Sequence, residues 1–286
     1  MMKLFILMLF FYGCLTFDVP NDGCQSDLTI DDDHYNVSDT YHTGEAYPAD
    51  AHYDHFGNLF YVESGQNAGG FYFDIKMIRP KNDTPENVPG LPAGLSYSIA
   101  SDKKKPNIYF GTGKGIFSYS YETQRAKLIS DPNLKLNMIF VDKDGKKYIT
   151  ENNNGVEELY LLDGKKKILF KTLQMLNEMA IDNENNFYFI KEEKFYVLKS
   201  KLSTPTFISN VTYNGFAQIS FYEEKVFIAS DNLAYTDVNN TSYLKNVENV
   251  PKKVTAIAFD KNGNFVLGSK GKMVKYNVND CYVRKV

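Results

Sequence analysis

Short apolar runs occur in pairs along this chain, and the pair repeats six times. Each pair is an apolar run ending in an acidic or aromatic residue, a turn of three to five residues, and a second apolar run. Successive first runs end 48, 40, 40, 40 and 38 positions apart. Strand-only repeats of this length are typical of β-propeller blades. We call the final residues of the first runs the marker residues: Asp54, Asp102, Asp142, Asp182, Tyr222 and Asp260.

One repeat shows the predicted content of a blade. Residues 179–182, 186–190, 195–199 and 206–208 each form a short apolar or alternating segment of the kind that indicates a β-strand. Turns 142–145 and 260–263 have Asp first and Gly last, a composition suited to tight turns, and 183–186 is a variant without glycine. The sequence therefore predicts an all-β, six-bladed propeller with four antiparallel strands in each blade.

The N-terminus predicts export. A lysine at position 3 precedes the apolar stretch 4–12, which is too short to span a bilayer and is typical of a secretory signal peptide. We predict a signal peptide over 1–16, an N-terminal lead-in and ring-closing segment over 17–48, and the propeller over 49–286. The expected product is a secreted, extracellular monomer without a membrane span.

Two cysteines remain after residue 16, near opposite ends of the chain, and an oxidising compartment favours a bond between them. Such a bond between Cys24 and Cys281 would join the first and last blades; two free thiols or an intermolecular link are the alternatives. Asn-x-Ser/Thr triplets predict glycosylation at five asparagines. They are Asn36, Asn82, Asn210, Asn239 and Asn240.

Charge and motifs exclude several classes of function. The net charge is −3 at pH 7 and no basic stripe is present, so nucleic acid is not an expected partner. No Gly-x-Ser-x-Gly motif occurs, and the four histidines follow no zinc-ligand spacing. We therefore predict no catalytic residue, no resident metal and no cofactor.

Ligand binding is expected where the first runs begin and the second runs end, which we call the upper end of the propeller. Aromatic residues make up 15% of the chain and supply flat surfaces for planar ligands. The predicted ligand-binding residues are His52, Glu63, Tyr97, Asn137, Glu151, Asn177, Glu178 and Gln218.

A calcium-dependent lactonase or esterase is one alternative, because the six-blade pattern is similar to the gluconolactonase and paraoxonase-like propellers. In that resemblance, Asn137 and Asn177, five residues before their marker residues, match two expected amide ligands. The equivalent positions elsewhere lack an oxygen-rich set, since they hold Ala49, Tyr97, Ala217 and Thr255. Asp50 could substitute for Ala49 only with a shift of register.

The whole mature chain also resembles the insect ommochrome-binding proteins. The residues that carry the resemblance are the lead-in 22–24, the degenerate repeats 177–182 and 265–268, and the last cysteine, Cys281. This resemblance implies a non-enzymatic carrier that binds a planar, tryptophan-derived pigment in the axial pocket. A secreted propeller that binds another protein is the second alternative.

Overall fold

The computed structural model describes residues 24–164, 166–213 and 215–282, and these residues form a six-bladed β-propeller. The predicted fold class is confirmed, and the predicted signal peptide lies outside the described residues. Within the described part of the chain, the only helix is a 3₁₀ turn, Asp280–Tyr282. No helix there is long and apolar enough to cross a membrane.

Two strands precede the first blade, and blades 1 to 3 then follow in chain order. In each blade, hairpins connect successive antiparallel strands from the propeller axis outward. The preceding strands are β1 (Leu28–Ile30) and β2 (Asp33–His42). Blade 1 has β3 (Tyr47–Tyr53), β4 (Leu59–Asn67), β5 (Gly70–Ile78) and β6 (Glu86–Asn87). Blade 2 has β7 (Ser96–Ser101), β8 (Ile108–Thr112), β9 (Gly115–Ser120) and β10 (Arg125–Leu128). Blade 3 has β11 (Ile139–Val141), β12 (Lys147–Asn153), β13 (Val156–Asp163) and β14 (Lys166–Gln174).

Blades 4 to 6 repeat this arrangement, and the last blade takes its outer strands from the N-terminus. Blade 4 has β15 (Glu178–Ile181), β16 (Phe187–Lys191), β17 (Lys194–Leu198) and β18 (Thr206–Asn210). Blade 5 has β19 (Gln218–Tyr222), β20 (Lys225–Ser230), β21 (Asn232–Asp237) and β22 (Asn240–Asn246). Blade 6 has β23 (Val254–Phe259), β24 (Phe265–Ser269) and β25 (Lys272–Val278), followed by β2 and β1.

The ring is closed by pairing the two ends of the chain. Strand β2 lies antiparallel to β25, with His42 opposite Lys272 and Tyr35 opposite Val278. Beside this sheet, Cys24 and Cys281 form the predicted disulfide, with their Cα atoms 6.0 Å apart. A bond across 257 residues restricts the unfolded chain strongly, so it adds to the stability of the closed ring.

The inner strands surround the axis, and each of their two faces packs against a neighbouring blade. Side chains alternate along a strand, so residues at odd and even distances from a marker residue face opposite sides. Residues three positions before the markers are buried in hydrophobic clusters, and each is less than 5% exposed. They are Ala51, Ile99, Ile139, Met179, Ile219 and Ile257. Residues two and four positions before the markers lie on the other face, toward the next blade, and several residues of both faces border the axis.

The marker residues themselves hold the turns at the lower end of the propeller. Asp182 Oδ1 accepts hydrogen bonds from the backbone N–H groups of Glu184 and Asn186, at 2.8 and 2.9 Å. The marker carboxylates of blades 1, 2, 3 and 6 make the same kind of backbone contacts. In blade 5, Tyr222 instead stacks on Phe259 at 4.4 Å.

The five predicted glycosylation sites lie on the outside of the ring or at its turns. Asn82, Asn210, Asn239 and Asn240 are exposed, and Asn36 is half-buried in β2. Glycosylation at these positions stays a prediction.

Candidate functional site

The axis of the propeller contains two layers of side chains from the inner strands. The upper layer lies four residues before the markers, and the lower layer lies two residues before them. The upper layer is Asp50, Ser98, Met138, Glu178, Gln218 and Ala256. The lower layer is His52, Ala100, Phe140, Ala180, Ser220 and Ala258.

Three upper-layer side chains, those of Asp50, Ser98 and Gln218, connect their blade to the next. Asp50 Oδ2 accepts a hydrogen bond from the backbone N–H of Ile99, and Ser98 Oγ accepts one from that of Ile139, at 3.0 Å. In both cases the donor lies three residues before the marker of the following blade. This layer is therefore part of the structure that holds the ring together.

Gln218 is the strongest of these connections. Its Oε1 accepts hydrogen bonds from Ile257 N in blade 6 and from Ala51 N in blade 1, at 2.9 and 3.0 Å. Its Nε2 donates to the carbonyl oxygen of Ala51 at 2.9 Å. The upper-layer residue of blade 6, Ala256, has no polar side chain to bond to blade 1, and Gln218 of blade 5 reaches past it to make that contact. Gln218 is 1% exposed, and its amide is bonded to backbone groups of blades 1 and 6; its predicted ligand contact stays a prediction.

Asp50 is presented to the axis by an irregularity in β3. The pairing of β3 with β4 shifts register between Ala49 and His52, and Asp50 has a φ of 43°. A bulge of this kind re-aims a side chain, and a non-glycine residue at positive φ is a form of strain found often at functional sites. The bulge supplies the register shift that the sequence alone did not reveal.

Glu178 meets Asp50 from the opposite side of the ring, since blades 1 and 4 are diametrically opposed. Burial raises the pKa of Glu178 well above its ordinary value, and the nearby Asp50 carboxylate raises it further. A hydrogen bond from the backbone N–H of Met179 to Glu178 Oε1, at 2.9 Å, acts in the opposite direction. Two acidic groups therefore converge on the axis, and Glu178 holds its proton to a higher pH than a solvated glutamate does.

His52, from the lower layer, lies beside the two acidic groups. Its Nε2 donates to Asp50 Oδ1 at 2.9 Å, and its Nδ1 has no hydrogen-bond partner among the described residues. Around it, the small side chains of Ala100, Ala180 and Ser220 leave an axial cavity of about 120 Å³. Asp50, His52 and Glu178 all line this axial cavity.

Lys103 lies at the lower end of the axial cavity, directly after the marker Asp102. Its Nζ donates to the carbonyl oxygen of Ile181 at 2.8 Å and to Asn183 Oδ1 at 3.1 Å. The sequence analysis missed Lys103, because three consecutive lysines in a turn look like a solvated loop.

Three predicted residues lie one position away from the layer that faces the axis. Tyr97, Asn137 and Asn177 are five residues before their markers, at or just before the upper starts of the inner strands, and they do not line the axial cavity. Tyr97 packs edge-on against Phe73 at 5.4 Å, and Asn137 Nδ2 donates to both oxygens of Glu157, at 2.9 and 3.1 Å. Asn177 makes a side-chain hydrogen bond with Tyr213.

Two further predicted residues form ion pairs on other surfaces. Glu63 lies 3.4 Å from Lys76 Nζ in blade 1. Glu151 pairs with Lys167 in a groove of about 1310 Å³ on the flank between blades 2 and 3. Neither residue lines the axial cavity. Of the eight predicted ligand-binding residues, the structure brings only His52 and Glu178 together there.

The axial residues do not fit a calcium ion of the kind the lactonase alternative needs. Calcium takes six to eight oxygen ligands. Only the carboxylates of Asp50 and Glu178 converge, while the amides of Asn137 and Asn177 contact neighbouring side chains on the upper surface. Among the described residues, no three His, Cys, Asp or Glu side chains are grouped as metal ligands.

Comparisons with known proteins show resemblance in fold. No protein-family model matches the chain, and no curated protein matches it. Among solved structures, the chain is similar to a gluconolactonase from Xanthomonas campestris at 12% identity, with a TM-score of 0.65 over 87% of this chain and 91% of that one. It is also similar to a chain of a nidogen/laminin complex, at 13% identity and a TM-score of 0.57, over 75% and 85% of the two chains. Similarity to streptogramin B lyase has 13% identity and a TM-score of 0.52, over 86% and 98%.

The predicted likeness to gluconolactonase-type propellers therefore holds for the fold. At 12–13% identity it carries no activity over to this chain. None of the comparisons identifies the chain as an ommochrome-binding protein.

Proposed function

We propose that this protein is a secreted, non-enzymatic carrier of a small aromatic amine, held at the upper end of the axial cavity. The observation that carries the proposal is the convergence of Asp50, His52 and Glu178 from opposite blades on one cavity. These groups offer carboxylate oxygens and a free ring nitrogen, which are hydrogen-bond acceptors. A protonated amine supplies three donors and a positive charge, so it complements the cluster.

The size of the cavity supports a ligand that enters only in part. At about 120 Å³, the axial cavity is smaller than the roughly 300–1,000 Å³ of most small-molecule pockets. It accommodates an amino group and a short linker, and the aromatic body would remain above it. Aromatic residues are available nearby: Tyr213 lies close enough to Glu178 for that carboxyl to raise its pKa. Tyr47, at the start of blade 1, and Phe216, just before blade 5, stack at 5.1 Å.

The pigment predicted from the family resemblance is compatible with this site in its chemistry. A tryptophan-derived pigment or precursor that retains an amino group would place that group between Asp50 and Glu178. Its planar rings would then lie against Tyr213 at the upper end. The amino group makes this proposal more specific than the general aromatic pocket expected from the sequence.

A set of three indole probes tests the proposal. The chain has no tryptophan, so the fluorescence of an indole ligand can be followed with little protein background. We expect tryptamine to bind at least about tenfold more tightly than neutral 3-methylindole or anionic indole-3-propionate, because a charge-assisted hydrogen bond contributes roughly 1.5–3 kcal/mol. Kynurenine in the same assay tests the tryptophan-derived class directly.

Two variants and a pH series locate the binding site. Glu178→Gln removes a charge while keeping the shape, and we expect it to weaken tryptamine binding about tenfold. Glu157→Gln, on the upper surface beside Asn137, is the matched control and should leave binding unchanged. Because the pKa of Glu178 is raised, tryptamine affinity should increase as pH rises and this carboxyl ionises. Equal binding of the three indoles, or no effect of Glu178→Gln, would contradict the proposal.

A further inference from the structure

Lys103 has an unusual environment for a lysine at a turn. The residue as a whole is exposed at the lower end of the propeller, and it also lines the axial cavity. There the amine donates to two uncharged acceptors, the carbonyl oxygen of Ile181 and the amide oxygen of Asn183. It forms no ion pair with a carboxylate in the part of the chain that the structure describes.

Burial favours the neutral form of this amine. Nζ also lies 4.9 Å from the centre of the Phe221 ring, a cation–π contact that favours the charged form. Burial lowers the pKa of Lys103 to about 8, and the more distant Asp182 and Asp142 carboxylates only partly oppose that effect. At pH 7 roughly a tenth of such amines are neutral, against fewer than about one in a thousand for a lysine with a pKa of about 10.4. The neutral amine is the nucleophilic form.

We infer that Lys103 is a covalent capture site for small neutral aldehydes at the lower end of the axial cavity. Three features of the geometry support this assignment: an inward amine, uncharged hydrogen-bond partners and direct contact with a cavity. The inference goes beyond the carrier function, because it does not depend on the acidic cluster in the upper layer.

The chemistry needs only the amine and the aldehyde. The lone pair of Lys103 Nζ attacks the carbonyl carbon, and a proton passes from nitrogen to oxygen to give a carbinolamine. The nitrogen lone pair then expels the hydroxyl group, which leaves as water after taking up a proton, and a C=N bond forms. One water is released for each imine, and no oxidant or reductant is required.

The cavity selects the class of aldehyde. Phe140, Ala180 and Phe221 form apolar walls, and the volume of about 120 Å³ restricts the guest to a few carbon atoms. Asp50 and Glu178 lie at the other end of the same cavity and disfavour a negatively charged guest. Short, uncharged aldehydes therefore fit better than keto acids.

Reductive trapping tests the inference. The intact protein is incubated with propionaldehyde and cyanoborohydride, which reduces each imine to a stable propyl-lysine, and labelled peptides are quantified by mass spectrometry. We expect Lys103 to be labelled at least about tenfold faster than Lys104 at pH 7, and its neutral-amine fraction, and with it the rate of imine formation, to rise with a midpoint at about pH 8. Lys104 is a matched internal control, because its side chain is 60% exposed and its Nζ lies 3.1 Å from Asp144.

Variants separate this site from general surface reactivity and from the carrier function. Lys103→Arg should abolish the fast phase of labelling, whereas Lys104→Arg should leave it unchanged. Glu157→Gln, outside the axial cavity, should also leave it unchanged. The labelling assay uses no indole and the indole assay uses no aldehyde, so failure of the indole assay and failure of this one are distinguishable. Equal labelling rates at Lys103 and Lys104, or a fast phase that persists in Lys103→Arg, would overturn the inference.

Discussion

Asp50 and Asp54 lie four residues apart in blade 1 and have opposite roles. Asp54, at the lower end, is 8% exposed and accepts four hydrogen bonds, from Phe56 N, Asn58 N, Asn58 Nδ2 and Tyr121 Oη, at 2.7–3.0 Å. Asp50, on a bulge with positive φ, faces a second acidic group across the axial cavity. All four contacts of Asp54 hold its own blade and the neighbouring Tyr121, whereas Asp50 accepts from Ile99 N of the next blade and from His52 and still lines the axial cavity.

Blade 4 repeats the contrast with Glu178 and Asp182. Asp182 holds its turn through two backbone N–H groups and Asn186 Nδ2. Glu178 accepts only from Met179 N among the described residues, and its pKa is raised. Acidic groups that a fold leaves uncompensated reduce stability and are candidates for function. The lower turns are therefore expected to contribute stability, and the upper cluster to carry binding at some cost in stability.

The largest expected effect comes from Asp54→Ala. The substitution removes the acceptor for two backbone N–H groups, an amide and a phenol, and it leaves several of them unpaired in a buried turn. We expect the free energy of unfolding to fall by about 3 kcal/mol, measured by urea denaturation. Tryptamine binding by the folded variant should be unchanged, because Asp54 lies outside the axial cavity.

Asp54→Asn is the matched control for this prediction. The asparagine keeps one oxygen for Phe56 N and Asn58 N, but its amide nitrogen replaces the oxygen that accepted from Asn58 Nδ2 and Tyr121 Oη. Only the tyrosine hydroxyl can turn to accept from it, so the loss should be about 2 kcal/mol. If Asp54→Ala destabilises the protein no more than Asp54→Asn, the turn contacts do not hold the blade as the comparison requires.

The lower turns were also the part of the molecule most accessible from sequence. The marker residues recur at regular spacing because every blade needs the same turn, so their pattern predicted the fold and the six inner strands. The position of β2 beside β25 was not readable in this way. That pairing joins residues more than 200 positions apart, and neither strand has a local signal that specifies its partner.

The axial site was predicted less well, for a different physical reason. A displacement of one residue along a strand turns a side chain to the other face of the blade. The prediction named Asn137, Asn177 and Glu178, and the structure places Glu178 at the axial cavity and the two asparagines outside it. The bulge at Asp50 and the inward turn of Lys103 depend on tertiary contacts, which a repeat pattern does not contain.

An intermediate effect, of opposite sign, is expected for Glu178→Gln. Folding raises the pKa of Glu178 above its ordinary value of 4.5, so the folded protein binds more protons than the unfolded chain between 4.5 and the raised value. The free energy of unfolding therefore falls as pH rises through that range. Glutamine can keep the contact with Met179 N and does not ionise. We expect a gain of about 1 kcal/mol at pH 8 that disappears near pH 4, measured by thermal unfolding.

Glu184→Gln provides the control in the same blade. Glu184 is exposed at the lower turn, so its substitution should change stability little at either pH. A Glu178→Gln variant that is less stable than the original protein at pH 8 would mean that the axial carboxyl is compensated. The contrast between Glu178 at the axial cavity and Asp182 in the lower turn would then fail in blade 4.

The smallest effect is expected at the turn of blade 4 that lacks glycine. Asn185 has a φ of 62°, where blades 1, 3 and 6 have Gly57, Gly145 and Gly263 at 82–84°. Asn185→Gly relieves backbone strain but loses side-chain bonds to Asp144 and Lys143 N, at 3.0 and 3.2 Å. The relief of strain and the lost hydrogen bonds oppose each other, so the free energy of unfolding should change by less than about 0.5 kcal/mol.

Gly145→Ala is the control that introduces only backbone strain, since an added Cβ would lie 3.8 Å from its nearest neighbour. It should lower the free energy of unfolding by about 1 kcal/mol in the same urea titration. A similar loss for Asn185→Gly would show that the contacts of Asn185 between blades 3 and 4, rather than its backbone conformation, determine the stability of this turn.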